Sequence, residues 1–480
     1  MQMTRKILLP RMVVTVLAAP SDADSTRIEL SDNDWYHHRP IQDAETRKRL
    51  DSQGLWVNSR FNLFPVVLDA YGVPWAEANV YLLSRLEDAV EPRMSTYSGI
   101  ADGLGRFRHY LDEKGIDWTN FPSHKLSRPT YRFSGFLNLA VKAGEVADTT
   151  AQRWMSAVVA FYTWLREEGL LVPEHQAWKE RDRYINLTDT KGARFMHKVR
   201  STDVSIKVAK SQDPYTYTID DGGKLRPLPK DEQAWLLAAL TASENTEMTL
   251  IFMFALVTGA RIQTILTLKV RHTQLEFDDE SMEEVLFAVG PRTGVDTKGD
   301  KPHVLHIPMW FYEALRVYAN SDRSRARRLR ARGGDTENQY LFLSERGAAL
   351  YQDKADALMF DERSKLRHAK TGQAVGQFIR ERVLPYIREH YAANFAFQFH
   401  DTRATFGMNL TDDRLALVAQ GGITLHEARE FVKSRMGHSS AAVTDRYLNY
   451  RRNLHLTRQV NSDYDSHLRD ITAAAMKGIQ

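Results

Sequence analysis

Apolar residues recurring at steps of three and four, each run closed by a glycine, constrain this chain more than any other feature. In "STYSGIADGLGRFRHYLDEKG", Tyr97, Ile100, Leu104, Phe107 and Leu111 share a stripe and Gly115 ends it. "TTAQRWMSAVVAFYTWLREEGLL" repeats the pattern with Trp154, Val158, Phe161 and Leu165 before Gly169. That spacing is the helical period, and glycine accepts the left-handed conformation at a helix end. Two such helices, with "RPTYRFSGFLNLAVKAG" between them, predict a helical domain over residues 76–180. Farther on, "LRPLPKDEQAWLLAALTASENTEMTLIFMFALVTGARIQTILTLKV" predicts two strongly apolar helices and a third entered through "TGAR". The β-like runs "EEVLFAV" and "HVLHIP", separated by the turn-rich "GPRTGVDTKGDKP", predict a small antiparallel sheet inside a second, α-rich domain over 225–455. The expected fold class is mainly α.

The remaining segments carry less periodicity. Residues 1–75 read as an irregular amino-terminal extension of unassigned role, in which Pro10 and Arg11 interrupt the apolar stretch. What remains, "MVVTVLAA", suits a β-strand better than a secretory signal. Residues 181–224 read as a basic interdomain linker with short strands; it contains "DDGG", and its cations either track a phosphate backbone or are simply solvated. The run "RSRARRLRARGG" carries the same two readings. Residues 456–480 form a tail, a candidate helix for docking on a neighbouring subunit or for packing on its own domain. At 480 residues the chain exceeds one ordinary domain. It has no cysteine, which excludes disulfides, thiolate zinc sites and a cysteine nucleophile, and an intracellular location is expected. A net charge of +4 permits nucleic-acid binding without arguing for it. No apolar run approaches the length of about 20 residues that a membrane-spanning helix needs.

Six residues in the second domain suit an anion under attack. Arg261 follows an apolar helix and a "TG" turn, where a charge is costly unless it meets an anion. Lys298 lies between the two β-like runs. His400 and Arg403 stand three apart in "FHDTRATFG", which puts both on one face of a helical turn. His438 and Tyr447 lie in "MGHSSAAVTDRYLNY", where Ser439 and Ser440 can cap a helix carrying the tyrosine. Taken alone, Tyr447 reads as a packing aromatic.

Taken in order, "TGAR", "TKGDK", "HDTR", "MGH" and "TDRY" resemble the motifs of the tyrosine recombinases, the phage-integrase family. The resemblance covers about residues 225–460, and more loosely the preceding helical domain, which is similar to the family's core-binding domain. It implies site-specific cleavage and rejoining of DNA through a 3′-phosphotyrosine, without metal, ATP or any other cofactor. Tyr447 would be the nucleophile, Arg261 and Arg403 a planar clamp on the phosphate, and Lys298 the general acid, with Lys301 as fallback. His400 and His438 would hydrogen-bond phosphate oxygens, and His400 would take the tyrosine's proton. The implied partners are double-stranded DNA bearing a specific recombination site, three further copies in a homo-tetramer on that DNA, and accessory DNA-bending or directionality proteins, in the bacterial cytoplasm or nucleoid.

The chain departs from the pattern twice. Thr264 stands where the family often has an acid three positions after the first arginine, and 35 positions separate Arg403 from His438, with "TDDRLALVAQGG" expected as a loop insertion. Three other readings remain open. A metal-dependent nuclease would use Asp296 and Lys298 as a D-x-K pair with Glu283 and Glu284; a DNA-binding regulator would keep the fold without catalysis; a type IB topoisomerase would share the chemistry.

Overall fold

A computed structural model describes residues 6–17, 56–87, 89, 92–188, 194–208, 218–277, 282–363 and 366–453. Within it the chain forms two compact units, Met1–Lys210 with Lys354–Ala369, and Ser211–Asp353 with Lys370–Gln480. The architecture is mainly α with small two-stranded antiparallel sheets. Among the described residues no helix is long and apolar enough to cross a membrane.

The first unit is built on four helices, Ala76–Glu87, Met94–Lys114, Pro129–Lys142 and Asp148–Glu167. The second and fourth are the stripes read from periodicity, and the segment between them is itself a helix, started by Pro129 at its first turn. Gly103 lets the second and fourth helices close together: a Cβ there would stand 3.0 Å from that of Ala157. Met12–Leu17, within "MVVTVLAA", forms a strand as expected, and other parts of the extension read as irregular are ordered as strands too. β1 (Lys6–Leu9), β2 (Met12–Leu17), β3 (Trp56–Phe61) and β4 (Phe64–Val67) pair antiparallel, β1 with β4 and β2 with β3. Phe64, Val66 and Val67 join the core with Trp75, Phe107 and Phe161, and the Asn79 side chain bonds both the N–H and the C=O of Val67. β5 (Glu180–Thr188) and β6 (Arg194–Thr202) form a hairpin in the span read as a linker. The segments "PSDADS" and "SDNDWYHHRP" and the tail 456–480 lie outside the described residues.

In the second unit a short hairpin, β7 (Ile219–Asp220) with β8 (Lys224–Leu225), precedes the helices Lys230–Ala242 and Thr246–Thr258. The latter is apolar on every side and lies in the core through Ile251, Phe252, Phe254 and Ala255. Its end at Gly259 has φ 66°, and a Cβ there would stand 2.5 Å from the Phe406 ring. That explains the "TG" turn: only glycine supplies both the conformation and the space. Next come the short helix Ile262–Leu266 and the hairpin of β9 (Glu284–Val289) with β10 (His303–Pro308). Helices Met309–Asn320 and Asp322–Arg330 follow, then a helical run over 373–390 with a π turn at Ile379–Val383.

The cations of Asp322–Arg330 are largely spent inside the unit. Arg323 and Arg327 pair with the buried Glu247, and Arg325 and Arg328 with Asp335. The unit continues with helices Asp401–Ala419 and Leu425–Met436 and a helical stretch over 441–453. Most of the expected loop insertion "TDDRLALVAQGG" is therefore the second half of the helix Asp401–Ala419, which runs on unbroken through Met408 and Thr411, both buried. Only its last residues leave the helix.

Candidate active site

The site forms where four chain segments end against one another. Arg261 is the second residue past Gly259 and occupies the N-cap position of the helix Ile262–Leu266 without a side-chain cap bond, which leaves its guanidinium for other partners. His400 occupies the N-cap position of the helix Asp401–Ala419, whose first turn carries Arg403, and makes no side-chain cap bond. Gly437, at φ 61°, stops the helix Leu425–Met436, and His438 follows directly. Tyr447 sits in the helical stretch that Ser439 and Ser440 introduce.

Arg403 is almost fully buried and is held on three sides. It donates through Nη1 to the carbonyl of Gly259 at 2.8 Å and through Nη2 to that of Met436 at 2.7 Å. Both carbonyls lie at helix carboxyl ends, where the peptide dipoles favour a cation. Its Nε donates at 2.8 Å to Asp221 Oδ2. The same oxygen accepts from the Tyr447 hydroxyl at 3.1 Å and faces His438 Nε2 at 3.3 Å. Arg261 Nη2 lies 3.6 Å from the other carboxylate oxygen. Three groups thus meet at one anionic atom, with a second guanidinium beside it.

Tyr447 is completely buried among Ile219, Met408, Val432 and Met436. A Cβ on Gly407 would stand 2.5 Å from its ring, so the glycine is what admits the tyrosine. The His438 ring lies 5.6 Å from the Tyr447 ring, and its Nδ1 is tied to Thr444 Oγ1 at 2.9 Å. Lys298 lies in a short 3₁₀ turn between β9 and β10, with Nζ 2.9 Å from where a Gly222 Cβ would be. The backbone carbonyl of Lys301 accepts from Thr297 Oγ1 at 2.8 Å.

Burial and charge set the protonation of these groups. Burial would raise the Asp221 carboxyl, but the hydrogen bond from His438 and the charge of Arg403 hold it far below the usual carboxylate range. Burial, reinforced by the Asp221 charge, raises the Tyr447 phenol well above its ordinary value. His400 is pushed down to about 4 by burial and by Arg403 and Arg261, so its imidazole is neutral at pH 7. Arg261 is lowered to about 10 by burial and by Arg403. Among the described residues its buried Nε has no hydrogen-bond partner.

The structure therefore brings Arg261, Arg403, His438 and Tyr447 together around Asp221, sets Lys298 against the adjoining glycine, and places His400 in the field of both arginines. Sequence reasoning missed two members. Asp221 lies in the "DDGG" turn of the span read as a linker. His303, on β10, packs against Gly437, and burial and Arg403 lower it to about 4. Thr264, buried in its short helix, leaves the carboxylate beside Arg261 to come from Asp221. Among the described residues no three His, Asp or Glu side chains are grouped as metal ligands, and Glu284 is tied to His306 and Arg435.

No protein-family model and no curated protein matches the chain. Among solved structures it is similar to the XerH site-specific recombinase bound to difH substrate, with 15% identity over 77% of this chain and 80% of that one, at a TM-score of 0.38. It is also similar to the Tn1549 transposon integrase in complex with circular intermediate DNA, with 16% identity over 77% and 94% and a TM-score of 0.40. A lambda integrase dimer bound to a COC′ core site matches with 13% identity over 78% and 95%, at 0.42.

Proposed function

We propose that this chain is a site-specific DNA recombinase of the tyrosine type, cleaving and rejoining strands through a 3′-phosphotyrosine. The observation that carries this reading is the convergence of Tyr447, Arg403 and His438 on one anionic oxygen, with Arg261 beside it, whose buried Nε has no hydrogen-bond partner among the described residues. Such a set of donors around a phenol suits a phosphodiester.

Tyr447 Oη attacks phosphorus, its bond to phosphorus forms, and the bond from phosphorus to the 5′ oxygen breaks. Arg261 and Arg403 neutralise the non-bridging oxygens as charge accumulates, with His438 donating from Nε2. His400, neutral at pH 7, takes the phenolic proton, and Lys298 gives one to the departing 5′ oxygen. A phenolate leaves more readily than an alkoxide, so the reverse attack by a 5′ hydroxyl rejoins the strand without ATP. Exchange between two duplexes uses four such sites, so the working assembly is a tetramer on a specific DNA site in the cytoplasm or nucleoid, with accessory proteins setting direction.

The test uses the full chain and a pool of nicked duplexes in EDTA, with covalent adducts isolated under denaturing conditions and sequenced. The wild-type chain is expected to form adducts at a defined sequence and Tyr447→Phe none. Adducts in Tyr447→Phe, or none from the wild type unless metal is supplied, overturn the reading.

A further inference from the structure

The reading above assigns no task to Asp221, yet its carboxylate stands where the clamp and the nucleophile meet. A carboxylate oxygen and a phosphate oxygen compete for the same N–H and O–H donors, and two anions side by side in a buried site repel. Arg403 Nε, His438 Nε2 and the Tyr447 hydroxyl are all directed at Asp221 Oδ2. A phosphate taking these donors would displace that oxygen.

The fit of Asp221 is incomplete in an informative way. One carboxylate has two oxygens; Oδ2 serves three groups, Oδ1 reaches Arg261 only at 3.6 Å, and Arg261 Nε has no partner among the described residues. A phosphodiester carries four oxygens and can meet both guanidinium groups at once. The site has more donor capacity than the carboxylate uses.

The residue is also carried on a short turn anchored at its ends by the buried Ile219 and Leu225. β7 and β8 are two residues each, and Asp221, Gly222 and Gly223 join them. Gly222 has φ 74°, and the one atom close to its Cβ position is the tip of the Lys298 side chain; beyond Gly223 the nearest is a Leu225 methyl at 3.8 Å. The turn is not locked by packed backbone on that side, in contrast to Arg403, which two helix ends hold.

Resting on the recombinase reading for the identity of the anion, we propose that Asp221 is a positioning residue that doubles as an internal stand-in for the substrate phosphate. It keeps Arg403, His438 and Tyr447 aimed at one point while the site is empty of DNA and leaves that point when a backbone phosphate arrives. Free inorganic phosphate, which brings no other contacts, competes poorly with it; DNA, which contacts the protein at many phosphates, can displace it.

Inorganic phosphate is the probe, titrated calorimetrically into the full chain and its Asp221→Asn, Asp221→Ser and Asp221→Glu variants, each checked for folding by thermal melting. Removing the charge is expected to tighten phosphate binding at least about tenfold, the scale of a like charge in contact. Asp221→Glu is expected to bind as weakly as the wild type. Adding Arg261→Gln to Asp221→Asn should remove the gain, which locates the anion in this site. If folded Asp221→Asn or Asp221→Ser binds phosphate no tighter than the wild type, the stand-in role is overturned, whereas adduct formation by the wild type still supports the recombinase reading. Tighter phosphate in these variants with no adduct from the wild type on any DNA separates the two in the other direction.

Discussion

Arg403 donates to the carbonyl of Met436 at 2.7 Å, two residues before His438, so the guanidinium and the histidine are fixed by the same helix end. The bond at Gly259 does the same for Arg261. One buried side chain therefore sets the spacing of the other members of the site, and its planar fork is what allows three partners at fixed angles.

Arg403→Lys keeps the charge and loses the fork. It is expected to lower stability by about 2–3 kcal/mol, because hydrogen bonds from a charged group to buried carbonyls are lost. Adduct formation should fall by at least about a hundredfold, the scale for removing one preorganised donor. Urea unfolding and single-turnover cleavage measure the two effects; wild-type rates in this variant would remove Arg403 from the clamp.

Lys298 has a separable task. Lys298→Ala is expected to slow cleavage by about 10²–10⁴-fold, the range for a lost general acid. A substrate with sulfur in place of the 5′ oxygen leaves without needing a proton, so it should restore much of the rate. Equal defects on both substrates would assign the lysine to phosphate binding.

His303 and His400 are both held near 4 by burial and by the neighbouring guanidinium charges, against an ordinary value of 6.5. The unfolded chain therefore binds more protons between these pH values, so stability should rise from pH 4 to about 6.5 and its contribution level off above. Chemical denaturation at pH 5 and pH 7 tests the sign. His303→Asn and His400→Asn should each flatten the slope, and an unchanged slope in both would place the titration elsewhere.

Gly407→Ala puts a methyl where only 2.5 Å separates the Cβ position from the Tyr447 ring and 2.9 Å from the Met436 side chain. Overpacking of this kind costs about 1–3 kcal/mol. The same methyl pushes the phenol off Asp221, so cleavage should fall while DNA affinity in a gel-shift assay stays close to wild type. Loss of both in parallel would indicate general unfolding.

Much of this organisation was legible in the sequence. Helical stripes ending in glycine located the helices Met94–Lys114 and Asp148–Glu167, because amphipathic periodicity is a local signal. "TGAR" and "MGH" announced themselves because chemically distinctive residues follow helix-stopping glycines, and "HDTR" because its histidine and arginine stand three apart at a helix start. Asp221 did not, since its meaning lies in contacts with Arg403 and Tyr447, 182 and 226 positions away. β1 and β4 escaped for the same reason: their partners lie more than fifty residues apart, and neither four-residue strand has enough alternation to signal itself. "TDDRLALVAQGG" reads as a loop insertion because 35 positions separate Arg403 from His438, and its Asp412 and Asp413 give no apolar stripe to argue otherwise. In the fold Asp412 pairs with Arg451 at 2.6 Å, which turns an apparent break into a tie between two helices.

The complete burial of Tyr447 has a consequence for how work is shared between subunits. A nucleophile wedged between Gly407, Met436 and Val432 cannot swing out to a neighbour's duplex without dismantling that cluster. Cutting from this arrangement would then be strictly self-contained, each copy breaking only the strand it grips. Mixing Tyr447→Phe chains with Arg403→Lys chains should restore nothing, since neither could lend its missing part to the other.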